Sequence, residues 1–98
     1  MKKIILGNGK GKTEQLIKMS AETGHYIVCA SMHEADAIHQ RARVMGLKIP
    51  LPITYREFVR REYSAKGIDG FLIDDVERLV ISMTTVYISA ITLTDNEE

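Results

Sequence analysis

Ninety-eight residues make one domain with a modest core, and the ordinary globular composition excludes a disordered or fibrous chain. Thirteen basic and thirteen acidic side chains leave no net charge. The single cysteine, Cys29, excludes an internal disulfide and a thiolate metal cluster. It lies in an apolar run, so it reads as a buried thiol rather than a nucleophile, and a cytoplasmic setting is expected.

At the amino end, Ile4-Ile5-Leu6 predicts a short strand. It feeds a loop, Gly7-Asn8-Gly9-Lys10-Gly11, that ends in Lys12-Thr13 and opens a helix over 12–23, stopped by Gly24. This is the physical plan of a phosphate-binding loop. Small residues let backbone N–H groups turn toward an anion, and the helix N-terminus points its unpaired donors the same way. Lys12 would reach the β- and γ-phosphates of a nucleotide, and the Thr13 hydroxyl would ligate Mg²⁺. Against the pattern G-x-x-x-x-G-K-[ST], Gly11, Lys12 and Thr13 fill the last three places, while Leu6 stands at the first glycine and Gly7 one place later. The plain alternative is a flexible turn between a strand and a helix. Lys2-Lys3 before this apolar run begins like a signal peptide, but the run ends at Gly7 and is too short for one.

Tyr26-Ile27-Val28-Cys29-Ala30 is continuously apolar, the pattern of a strand covered on both faces. Ser31-Met32-His33-Glu34 is a capping box that starts a second helix, closed by Gly46. Pro50 and Pro52 bracket an extended piece, and Ile53-Thr54 predicts a brief edge strand. Thr54-Tyr55-Arg56-Glu57 is a second capping box, with a third helix expected to about Ala65. Phe71-Leu72-Ile73 predicts a buried strand ending in Asp74-Asp75, and Val76, Leu79, Val80 and Met83 line a fourth helix. A last apolar strand is expected over 87–94, before a solvated acidic tail. Residues 79–94 carry no charge but are too few to span a bilayer, so no membrane association is expected. The alternation predicts an α/β fold: a three-layer α/β/α domain over residues 1–98 around a small, mainly parallel sheet.

Phe71-Leu72-Ile73-Asp74-Asp75 supplies what a phosphate loop needs, acid at the carboxyl end of a neighbouring strand. Asp74 would hold Mg²⁺. Asp75 suits two roles equally, a base that positions water or the N-cap of the helix that follows. With these segments the chain resembles a P-loop NTPase of the additional-strand class, which includes RecA-like, AAA+ and helicase cores. Gly11-Lys12-Thr13 resembles the Walker A element, residues 71–75 the Walker B element, and Ile91-Thr92-Leu93-Thr94 the strand that ends in a γ-phosphate sensor. A similar layout occurs in small bacteriophage-encoded P-loop proteins. The resemblance implies ATP and Mg²⁺ as ligands, catalytic roles for Lys12, Asp75, Thr92 and Thr94, and the strand order 4–6, 87–93, 71–74, 26–30, with 52–54 at the far edge.

Two departures bear on activity. The class carries Glu where Asp75 stands, one methylene longer, and a second lobe is absent from the 98 residues. An arginine finger would have to come from another protomer or partner, with Arg56, Arg60 and Arg61 as candidate donors. A weak or partner-dependent Mg-ATPase in a nucleic-acid transaction and a non-hydrolysing binding module that regulates a larger machine are therefore both expected readings. A small-molecule kinase lacks an evident lid. Residues 41–66 hold seven basic side chains against Glu57 and Glu62, a surface for nucleic acid or an acidic protein, or simply a solvated one. Tyr55, Phe58 and Tyr63 among those arginines would either stack on a single strand or pack inward. His33-Glu34 does not continue into a zinc motif, because position 37 is Ala.

Overall fold

The structure, a computed structural model, describes residues 1–7, 9 and 11–94. Its elements run α1 (Lys12–Thr23), β1 (Tyr26–Cys29), α2 (Met32–Val44), β2 (Ile53–Thr54), α3 (Tyr55–Val59), β3 (Phe71–Ile73) and α4 (Val76–Ile81). The three strands form one parallel sheet in the order β2-β1-β3. The relative order expected for 53–54, 26–30 and 71–74 is the one observed.

Residue alternation along β1 divides the core between the two faces of the sheet. Ile27 and Cys29 join Leu72 in a cluster with Leu16 and Ile17 of α1 and Ala35, Ile38 and Ala42 of α2. Val28 points to the other face, where Tyr55, Leu79, Phe58, Phe71 and Ile73 gather. Phe58 and Tyr63 each meet Phe71 edge-on at 5.1 Å between ring centroids. These rings pack inward and leave Arg56, Arg60 and Arg61 exposed around them.

Helix ends follow local chemistry. Ser31 accepts a hydrogen bond from the Glu34 N–H, and Thr54 and Glu57 close a reciprocal capping box. Gly46, at φ 74°, ends α2 with paired bonds from its own N–H to Arg43 and from Leu47 to Ala42. Arg61 does the same for α3 at φ 58°, with bonds from Arg61 to Phe58 and from Glu62 to Glu57. This left-handed residue stops α3 at Val59, six residues before the expected end near Ala65.

Two expected strands are absent among the described residues. Residues 4–6 and 87–94 run without ladder partners. An apolar run becomes a strand only where a neighbour takes its backbone hydrogen bonds, and neither segment has one. Ile4 still packs against the α1/α2 core, whereas Ile5, Leu6, Tyr87, Ile91 and Leu93 are exposed. The two segments do meet, since the Lys3 ammonium donates to the Thr94 carbonyl. No helix among the described residues is long and apolar enough to cross a membrane.

Candidate functional site

Parallel pairing sets the carboxyl ends of all three strands along one edge, with Cys29 opposite Thr54 and Val28 opposite Ile73. The residues just past those ends are Ala30, Tyr55 and Asp74. The amino end of α1 arrives at the same edge. Its N-cap is Gly11, left-handed at φ 84° and without a side-chain cap, so the first-turn N–H groups of α1 have no side-chain acceptor at the cap. A side chain at Gly11 would be strained in that conformation.

Thr13 Oγ1 donates to Asp74 Oδ2 at 3.4 Å, joining two segments 61 residues apart. The Asp74 backbone is fixed from two sides. Its N–H donates to the Val28 carbonyl at 2.9 Å, and the Tyr55 hydroxyl donates to its carbonyl at 2.5 Å and to that of Asp75 at 3.1 Å. Burial is the main cause that raises the Asp74 carboxyl above its ordinary range, with the charges of Asp75 and Glu34 adding to it. The Thr13 hydroxyl and the Lys12 ammonium pull the other way and do not fully compensate. Asp74 is thus a half-buried carboxylate short of positive charge, with hard oxygen donors beside it.

Asp75 adopts φ 62° and caps α4, accepting from the Arg78 N–H at 3.3 Å. Of its two expected roles, the capping one is what its side chain performs here. Glu34 completes only half of its capping box, because its carboxylate is gripped by Arg78 through two bonds of 3.2 and 2.9 Å. This bidentate pair ties the start of α2 to α4 beside Asp74.

On the α2 side of the loop lies an open cleft of about 460 Å³, lined by Gly9, Gly11, Lys12, Thr13, Ile38 and Arg41 among others. Arg41 forms an ion pair with Glu14 there. Gly9, Gly11, Lys12 and Thr13 line this cleft, and Asp74, which is not among its lining residues, reaches the same edge through its contact with Thr13. Gly7 sits in exposed coil before them. Asn8 and Lys10 lie outside the described residues. Thr92 and Thr94 belong to the exposed C-terminal segment, with no strand to carry them to the sheet edge. Among the described residues no cluster of three or more His, Cys, Asp or Glu side chains could hold a metal by itself.

Sequence reasoning missed three contributors. Tyr55 was legible in part, since a buried tyrosine needs a partner for its hydroxyl. The Glu34–Arg78 and Glu14–Arg41 pairs had no local signal, because each joins separate helices. Cys29 is buried at the end of β1 and donates to the Ser31 carbonyl at 3.5 Å. Burial raises its thiol from 9.0 to about 11, which suits an inert residue. No protein-family model matches the chain, and neither does any curated protein or solved structure compared with it.

Proposed function

We propose that this chain is a minimal P-loop nucleotide-binding domain that takes ATP with Mg²⁺. The observation that carries the reading is the Thr13–Asp74 hydrogen bond: the hydroxyl after the loop lysine and the acid after β3 meet across 61 residues. Gly9, Gly11 and Lys12, with Gly7, Asn8 and Lys10 completing the loop, would hold the phosphates by backbone N–H groups and one ammonium. Thr13 and Asp74 fit Mg²⁺ by their chemistry, hard oxygens beside an undercompensated carboxylate, and the ion would neutralise phosphate charge there. Hydrolysis would be weak or dependent on a partner, in a nucleic-acid transaction, with Asp75 as the water-positioning base and Thr92 and Thr94 as sensors once carried to the site. The exposed basic residues of 41–66 would meet nucleic acid or a protein partner, and assembly into a homo-oligomer would supply any arginine finger.

A second reading, a non-hydrolysing module that binds and regulates a larger machine, draws on one observation. The Asp75 carboxylate is committed to capping α4. Phosphate release from Mg-ATP, measured for wild type and Lys12→Ala with and without DNA, separates the two. Turnover that disappears in Lys12→Ala supports the ATPase. Nucleotide binding without turnover supports the module, and no binding at millimolar Mg-ATP removes the ATPase.

A further inference from the structure

Glu14 occupies an unusual place for an acid beside an anion site. It stands in the first turn of α1, and a methyl group at Gly11 would lie 3.8 Å from its Oε1. Its side chain therefore folds back toward the glycine cap, into the field of the helix's amino end, where a negative charge is favoured. Arg41 reaches over from α2 to pair with it, and both residues line the cleft that holds Lys12 and Thr13. Both remain accessible, with side chains 59% and 31% exposed for Arg41 and Glu14. Neither is needed to fill the core. Among the described residues the lining thus contains two cations, Lys12 and Arg41, and one of them is neutralised by an internal carboxylate.

We infer that Glu14 is the resident anion of this site in the ligand-free chain, and that Arg41 is its second polyphosphate-binding cation. On binding, the polyphosphate displaces the Glu14 carboxylate toward solvent and takes over the Arg41 guanidinium, whose planar donors suit phosphate oxygens. Glu14 is then a built-in competitor: it keeps Arg41 poised over the cleft, and it sets a threshold that only a ligand of high negative charge overcomes. The inference rests on the nucleotide reading above and assigns that site a residue pair from outside the loop motif.

The test is calorimetric titration of the full chain with Mg-ATP and, separately, with inorganic tripolyphosphate. Glu14→Gln removes the competitor without shortening the side chain, and both probes are expected to bind about three- to fivefold tighter. Arg41→Ala is expected to weaken both about tenfold, the loss of one charge-assisted contact, and Arg41→Lys to recover part of it. The double variant Glu14→Gln/Arg41→Ala is expected to bind more weakly than Glu14→Gln alone. If the pair only ties α1 to α2, both single variants lower the melting temperature alike and shift affinity in the same direction or not at all, which overturns the inference. A double variant equal to Glu14→Gln also overturns it, because Arg41 would then act only by holding Glu14. Wild type that binds through Lys12, with no divergence between these variants, leaves the nucleotide reading standing and removes this one. Wild type that binds neither probe removes both.

Discussion

The two ends of α1 each open onto a cleft, and they make an instructive pair. The cleft at its carboxyl end, of about 530 Å³, is lined by Gly24, His39, Arg43, Lys48, Leu47 and Ile49 among others. Among the described residues it is lined by His39, Arg43 and Lys48 with no carboxylate, whereas the cleft at the Gly11 end has Lys12 and Arg41 beside Glu14. A count of charges would make it the better anion site. Yet it faces the carbonyl ends of α1 and α2, whose partial charge is negative, so its basic residues complement helix dipoles already present. The Gly11 end also has two Lys or Arg side chains among the described residues, with an internal acid beside them, but it presents backbone N–H groups without a side-chain cap and a lysine at their head. On the proposed reading, the direction of the backbone, rather than the number of charged side chains, would separate a phosphate site from a compensated surface.

The largest expected effect tests that contrast directly. Lys12→Ala is expected to weaken Mg-ATP binding by about a hundredfold or more, and Arg43→Ala/Lys48→Ala to leave it unchanged within about twofold. Calorimetric titration reads both, and a reversed outcome would exchange the roles of the two clefts. Tyr55→Phe sharpens the picture of the Gly11 end. It removes both hydroxyl bonds that hold the Asp74-Asp75 corner, and a loss of about 1–2 kcal/mol in urea denaturation is expected.

Asp74→Asn should show that this end carries a cost to stability. The folded chain raises the Asp74 carboxyl, so stability falls as pH rises from its ordinary 3.8 through the higher folded value, and the penalty is complete above it. Removing the charge at neutral pH without Mg²⁺ is therefore expected to raise the melting temperature, by about 2–4 °C after allowing for solvent screening of a partly exposed group. The same variant is expected to cancel any gain in nucleotide affinity from Mg²⁺. A lower melting temperature would mean that Asp74 serves structure alone.

The smallest effect lies at alkaline pH. Cys29 rises from 9.0 to about 11 and Tyr55 from 10.0 to about 12, each chiefly through burial. The folded state holds these protons more tightly than the unfolded one, so stability is complete below pH 9 and declines as pH passes through 9 to 12. In a pH series of thermal melts, Cys29→Ala should flatten the lower part of that decline and Tyr55→Phe the upper part.

Particular residues show where sequence reading succeeds and where it stops. The caps at Ser31 and Thr54, the glycine stops at Gly24 and Gly46, and the apolar run at 26–30 act through neighbours a few residues away, and each appears where the pattern put it. The strands expected at 4–6 and 87–94 depended on each other and on a free sheet edge. Their apolar runs had no local signal to say whether a ladder would accept them. Arg61 ended α3 early by adopting a left-handed conformation, which no helix-stop signal in its own residue type announces.

By itself, then, the sequence determined the helix starts, the apolar strands at 26–29 and 71–73 and the glycine-lysine-threonine turn into α1, because these depend on propensity, capping and periodicity within one or two turns of chain. Only the tertiary structure decided that Thr13 touches Asp74, that Tyr55 clamps the acid corner and that Glu14 and Arg41 share the mouth of the loop. Those contacts exist because parallel pairing of three short strands carries distant segments to one edge, and charge and burial are properties of that edge rather than of any stretch of sequence.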